Sequence, residues 1–298
     1  MVARTRWHHG PVATRTYEDR CPGVFRPWAA EDGAIVRLRV PGGRISADNL
    51  LRVVVAAERY GNGTVLLTKR ANLQLRGIAT TGGAVPDGLL EAVDAVGLLP
   101  SRTHELVRNI LVSPLTGLLG GRMDLRSLVR QLDDALLADP ALAGLGGRFL
   151  FVLDDGRGDV AGRDLDLGLV ALDAARVQLR AGTTGWGPVV PVDRAAAELA
   201  RLAREFARLR GTGPSACWHV DELPEPISVL GTSAPRDPAT TVASEPPLPG
   251  QLVRYDGRRI EVLAVPDGLV RRPLAEQLAG TAGLVVTPWR SIVVEEPA

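Results

Sequence analysis

The segment Thr68-Lys69-Arg70-Ala71-Asn72-Leu73-Gln74-Leu75-Arg76-Gly77 alternates polar and apolar side chains. On a strand, where successive side chains point to opposite faces, Arg70, Asn72, Gln74 and Arg76 share one face and line a single wall with hydrogen-bonding groups. The same alternation also describes any half-exposed strand with a solvated face. Arg108-Asn109-Ile110 leads into Ser113-Pro114-Leu115-Thr116-Gly117, an arginine at the edge of an apolar run that ends in turn residues. Alone it is an ordinary loop start. Its interest is in company: a polycarboxylate ligand needs several arginines converging from different segments to offset the desolvation of its charges.

Three other constellations suggest less. Cys217-Trp218-His219 and His8-His9 could each hold a metal, yet neither has the two-pair spacing of a zinc site, and a structural role is the better reading. Asp154-Asp155-Gly156-Arg157-Gly158-Asp159 has the carboxylates of a calcium loop and the glycines of a dinucleotide turn. No EF-hand glutamate follows, and the glycines lead into another strand, so a hairpin turn is expected. There is no serine elbow, Walker loop or paired-carboxylate motif.

The elements that must position these residues form a weak internal repeat. The first copy has a strand from about Ala34 to Val40, a Pro41-Gly42-Gly43 turn, a helix capped by Ser46 and a second strand. In the second copy Val265-Pro266-Asp267-Gly268 echoes Val40-Pro41-Gly42-Gly43, and Leu284–Thr287 echoes Leu66–Thr68, each followed closely by an arginine. Two such units predict half-modules packed across a pseudo-two-fold axis with a cleft between them. Between the copies the pattern predicts helices near Asp87–Val96, Asp124–Leu137 and Asp193–Arg210, and strands at Arg148–Asp154 and Leu167–Leu172. The expected fold is α+β: half-modules at 20–85 and 251–298 and a mixed α/β middle domain at 86–220. The stretch 221–250, with seven prolines, reads as a linker.

Composition narrows the function. A formal net charge of +1 and the lack of a basic run with interleaved aromatics argue against a nucleic-acid partner. No run of 18 apolar residues and no leader-like start occur, so a cytoplasmic protein without a membrane partner is expected. Cys21 and Cys217, two thiols in such a chain, are expected to be free.

The chain resembles the nitrite and sulfite reductase superfamily, and within it most the precorrin-3B synthases. The resemblance is carried by Cys21-Pro22-Gly23, Asp32-Gly33, Val36-Arg37-Leu38-Arg39 with Pro41-Gly42-Gly43, Thr68–Gly77, Arg108-Asn109 and Val286-Thr287-Pro288-Trp289-Arg290-Ser291. It implies two ferredoxin-like half-modules, a cleft for a carboxylated tetrapyrrole such as a precorrin or siroheme, and an oxygen-dependent hydroxylation of precorrin-3A with lactone formation. Arg70, Asn72, Gln74, Arg76, Arg108, Asn109 and Arg148 are the implied tetrapyrrole-binding residues. The sequence departs from the family at Arg148-Phe149-Leu150, where siroheme enzymes use lysines on both sides of the phenylalanine. It also stops just after the second half-module, where the family continues into a cluster-bearing domain. A four-iron four-sulfur cluster takes four thiolates, and two cysteines cannot supply them. A catalytic role therefore implies a separate iron–sulfur protein chain as partner; the alternative is a non-catalytic tetrapyrrole-binding or scaffolding homologue.

Overall fold

The computed structural model describes residues 17, 19–242 and 245–296. His8-His9 lie outside the described residues.

The first repeat runs β1 (Ala34–Leu38), β2 (Arg44–Ile45), α1 (Ala47–Tyr60), β3 (Val65–Leu67) and β4 (Leu73–Ile78). Ser46 caps α1, its hydroxyl accepting from the Asn49 amide at 3.1 Å, and the helix buries Leu50, Val53, Val54 and Ala57 at helical spacing. α2 (Asp87–Ala95) packs on α1, with Leu89 and Val93 in the half-modules' core, and the middle domain contributes β5 (Ile110–Val112), α3 (Arg126–Ala138), β6 (Phe151–Asp154), β7 (Leu167–Ala171), β8 (Arg176–Ala181), β9 (Gly185–Pro191) and α4 (Val192–Leu209). The remainder is β10 (Gly250–Val253), β11 (Arg259–Ala264), β12 (Leu269–Val270), α5 (Arg272–Gln277), β13 (Gly283–Val286) and β14 (Ser291–Glu295).

The two repeats exchange strands. One sheet has the order β1-β4-β3-β12 and another β10-β11-β14-β13-β2, so the short strand after each Pro-Gly turn joins the other repeat's sheet. The registers match: Ile45 opposes Leu284 as Val270 opposes Val65, both antiparallel. The turns enforce the exchange. Gly42 and Gly43 have φ of +66° and +72°, and Asp267 and Gly268 of +56° and +72°. A Cβ on Gly43 would overlap the Val286 carbonyl oxygen, and one on Gly268 would stand 3.3 Å from that of Leu67.

The threonines that follow β3 and β13 are also equivalent. The Thr68 amide donates to the Asn72 carbonyl, as that of Thr287 does to Ser291, and each hydroxyl accepts from the amide two residues on. Ala71 and Arg290 share a positive φ, 55° and 59°. This alignment corrects the echo of arginines: Arg70 corresponds to Trp289, and Arg290 to Ala71. The half-modules agree in backbone and diverge at the side chain.

The middle sheet has the order β5-β6-β7-β8-β9, with β5, β6 and β7 parallel. The loop after Asp154 is therefore a crossover to a parallel neighbour and no hairpin turn; a two-residue turn can join only antiparallel strands. Phe149, Phe151 and Phe206 stack at 5.0–5.2 Å within the core under α3 and α4. Residues 221–240 do not behave as a free linker. Val229 and Leu230 are buried in that same core, and Gln178 bonds the Pro235 carbonyl and the Asp237 amide. Prolines there set short 3-10 turns on β8 and β9. A smaller apolar cluster joins Leu115 and Leu118 to Ile260, Val262, Val285 and Val293 of the second repeat.

The crossed turns make a prediction. Gly43 and Gly213 share a φ of +72°, but nothing lies within 4 Å of a Cβ on Gly213. Gly213→Ala should cost about 1 kcal/mol from backbone strain alone, and Gly43→Ala about 3 kcal/mol or more because strand exchange must also yield. Urea denaturation at constant m-value measures both; equal costs would contradict the role given to the turn.

Candidate functional site

Three segments meet where the first repeat touches the middle domain: the turn 68–72, Arg108-Asn109 ahead of β5, and residues 146–150 ahead of β6. Asn72 and Asn109 are each 1% exposed, so their amides must find partners. Asn72 Oδ1 accepts from the Val40 amide at 2.9 Å, and its Nδ2 donates to Asn109 Oδ1 at 2.9 Å. Asn109 Nδ2 in turn donates to the carbonyls of Leu106 and Gly147. Arg39, 2% exposed, donates to the carbonyls of Pro22, Arg37 and Gly147. Burial pulls its pKa down to about 10, with Arg37 adding to the effect.

This seam carries a cleft of about 520 Å³ lined by Arg20, Arg37, Arg70 and Arg148 with Cys21, Trp28 and Trp218 among its other walls. Each arginine is fixed on one side. Arg70 Nη1 donates to the Arg148 carbonyl at 2.6 Å. Arg37 Nη2 donates to Gln74 Oε1 at 3.0 Å, while its buried Nε has no hydrogen-bond partner among the described residues. The Arg148 guanidinium lies over the Trp218 ring at 5.0 Å and 3.5 Å from Asp19, and Arg20 lies over Tyr17 and Trp28 at 4.8 and 5.7 Å. Burial lowers the Arg37 pKa, opposed by Cys21 and Asp19 and reinforced by Arg70 and Arg148. Burial raises the Cys21 thiol pKa, with Asp19 assisting and Arg39, Arg37 and Arg148 opposing. Neither Cys21 nor Cys217 is joined in a disulfide, and the Cys217 thiol donates to the Glu222 carbonyl at 3.4 Å.

The expected single wall of Arg70, Asn72, Gln74 and Arg76 does not form. β4 begins only at Leu73, and the positive φ of Ala71 breaks the period of two between Arg70 and the strand. Arg70 and Arg148 line the cleft. Asn72 and Asn109 are spent within the seam. Gln74 is buried and holds Arg37, whereas Arg76 forms an exposed ion pair with Asp32 at 3.0 Å. Arg108 turns away, binding Asp133 bidentately at 2.6 and 2.7 Å, and lines a different cavity. Sequence reasoning missed Arg37, Arg20, Trp28 and Trp218 as cleft residues. Arg37 was open to discovery, since it sits opposite Gln74 in the β1–β4 register. The others come from irregular segments that carry no periodic signal.

Cys217-Trp218-His219 is structural in part. The Trp218 amide donates to Glu222 Oε2 at 2.7 Å, and His219 Nδ1 accepts from the Asp221 amide at 3.1 Å. Among the described residues no group of three or more His, Cys, Asp or Glu is arranged to hold a metal ion.

The cleft brings together arginines from four segments, two of which lie over indole rings, Arg20 over Trp28 and Arg148 over Trp218, the chemistry that a ligand with several carboxylates and a flat apolar body would need. The thiols present do not fit a four-iron four-sulfur cluster, which needs four thiolates where the 298 residues have two cysteines.

Comparison with known proteins bears on the fold and the family. Residues 29–81 match the nitrite/sulfite reductase ferredoxin-like half domain. The chain is 30% identical over 154 residues to a ferredoxin–nitrite reductase of Leptolyngbya laminosa, covering 49% of this chain and 30% of that protein. It is 31% identical over 137 residues to a precorrin-3B synthase of Sinorhizobium sp, covering 46% and 28%. The fold matches that of the NirA protein of Mycobacterium tuberculosis with a TM-score of 0.65 at 17% identity, over 91% of this chain and 56% of that one. The matched regions thus span about a third of the curated relatives. The chain carries a nitrite/sulfite reductase half domain in a fold of that type, with sequence similarity to precorrin-3B synthase.

The crossover loop after β6 supplies a pH prediction. Asp154 is satisfied by four backbone amides, and Asp155 pairs with Arg157 at 2.9 Å. Asp159 is buried; one oxygen accepts from Ser113 and the other, without a hydrogen-bond partner among the described residues, lies 3.8 Å from Arg157 Nε, and burial lifts its pKa to about 7. A carboxyl raised this far in the folded state holds its proton where the unfolded chain, at about 3.9, has lost it. Its ionisation therefore costs stability progressively as pH rises from about 4 to 7. Asp159→Asn should flatten that fall and make the protein more stable than the parent at pH 8, measured by urea unfolding across the range. An unchanged pH profile would contradict the assignment.

Proposed function

We propose that this chain binds a carboxylated tetrapyrrole, of the precorrin or siroheme class, in the arginine-lined cleft, and acts as a cytoplasmic precorrin-3B synthase-like oxidoreductase completed by a separate iron–sulfur protein chain. The observation that carries the reading is the convergence of Arg20, Arg37, Arg70 and Arg148 on one cleft that also presents two indole rings. Planar guanidinium forks match peripheral carboxylates, and arginine is more weakly hydrated than an ammonium and so better suited to partly dry pairs. The iron of a bound siroheme would supply the electron chemistry. This chain's residues would bind and orient the macrocycle: Arg70 and Arg148 from opposite sides of the first repeat–middle domain junction, Arg37 held in place by Gln74, and Trp28 and Trp218 shielding the rim from water.

The shortage of cysteines favours a second reading, a tetrapyrrole carrier or scaffold without catalysis. The two separate on electron transfer. A cluster-bearing chain that copurifies with the loaded protein and reduces its siroheme supports the oxidoreductase; a loaded protein inert to such a chain supports the carrier.

Titration of the purified protein with siroheme, followed by visible absorption, tests the site itself. Saturable binding is expected, weakened roughly ten- to hundred-fold by Arg70→Ala or Arg148→Ala, the range for loss of one charge-assisted hydrogen bond. Arg76→Ala, which lies outside the cleft, should leave affinity unchanged. Binding that ignores Arg70 and Arg148, or is absent, would overturn the reading.

A further inference from the structure

A second cavity, sharing no lining residue with the tetrapyrrole cleft, lies where α1, α3 and the second repeat's sheet come together; its volume is about 380 Å³. That places it near the small end of small-molecule pockets, which run from about 300 to 1,000 Å³. Its floor is apolar, made by Ile45, Val112, Val129 and Val285 from four different elements. Its walls carry four arginines, Arg44, Arg108, Arg126 and Arg130, against a single lining carboxylate, Asp133.

The pairing of these arginines is uneven. Arg44 is matched by Glu295 at 2.5 Å and Arg126 by Asp124 at 2.6 Å, both acids lying outside the lining. Arg108 is 5% exposed, with Nε and Nη2 occupied by Asp133 and Nη1 without a hydrogen-bond partner among the described residues. Arg130 reaches only the hydroxyl of Ser127, at 3.0 Å, and has no carboxylate partner among the described residues. A buried guanidinium with an unused donor, next to an arginine without a counter-ion and above an apolar floor, is a poor arrangement for an empty cavity. It suits an occupant with one acidic group and an apolar body.

We propose that this cavity is a binding site for a small amphipathic organic carboxylate, with its acid group on Arg130 and the Arg108–Asp133 pair and its body on the valine floor. The site is independent of the tetrapyrrole cleft. Asn109 faces the seam, while its neighbour Arg108 faces this cavity, so the two sites lie back to back on one strand entrance.

The test is isothermal titration of the full chain with 2-naphthoate, a flat apolar body carrying one carboxylate. Saturable one-to-one binding is expected, weakened about ten-fold by Arg130→Ala, an exposed position whose loss leaves the fold intact, and unaltered by Arg70→Ala. Uncharged 2-naphthol should bind at least ten-fold more weakly. Absence of saturable binding, indifference to Arg130→Ala, or equal affinity for 2-naphthol would each overturn the proposal, the last by showing only an apolar hollow.

Discussion

The hydrogen bond from Asn72 Nδ2 to Asn109 Oδ1, 2.9 Å long and sealed from water, ties the first half-module to the middle domain. Around it the chain has no freedom to rearrange cheaply. Asn72 also satisfies the Val40 amide, at the point where β1 gives way to the crossed turn, and Asn109 satisfies the Gly147 carbonyl, one residue before Arg148. An unpaired buried amide costs about 1–3 kcal/mol, so each side chain enforces the position of the other. Arg70, two residues before Asn72, and Arg148 are thereby brought from segments nearly eighty residues apart to the same cleft, and the Arg70–Arg148 carbonyl bond closes the circuit.

The exchange of β2 and β12 explains why the two half-modules form one body. Each repeat alone would expose a sheet edge, and each covers the other's with the strand that follows its Pro-Gly turn. Because the backbone is so nearly symmetric, differences between the copies stand out. Where the first copy has Arg70, the second has Trp289, packed under Arg163 at 5.3 Å. The equivalent turn in the second repeat therefore presents an indole where the first presents a cation, and only the first opens on an arginine cluster. Symmetry built the frame and side-chain divergence made one side a candidate binding face.

Much of the frame was legible in the sequence because it rests on local signals. The Ser46 cap, the two Pro-Gly turns and the helical spacing of Leu50, Val53, Val54 and Ala57 each point to one element without knowledge of its neighbours. The site was less legible for a physical reason. Alternation in the sequence runs through Ala71, whose positive φ turns the chain and resets the period, so it groups Asn72 and Arg76 with Arg70 although they face elsewhere. Apart from the Arg37 carbonyl that Arg39 also binds, the partners of Arg37, Arg39 and Arg108 lie 17 to 108 residues away, and no periodicity reports such distances. The proline content of 221–250 suggested a linker, but Val229 and Leu230 outweigh it by filling the core beside β8 and β9. In the same way a glycine-rich run between two strands looked like a hairpin until the parallel pairing of β6 and β7 required a crossover.

The central claim is that the Asn72–Asn109 pair, which does not line the arginine cleft, sets its geometry. A double-mutant cycle on siroheme affinity measures it directly, using Asn72→Ala, Asn109→Ala and the combined variant, each shown to be folded by circular dichroism. If the pair acts as one unit, either single substitution should lose nearly as much affinity as both together, giving a coupling comparable to the single losses themselves. Additive losses, or single variants that bind as tightly as the parent, would contradict the account.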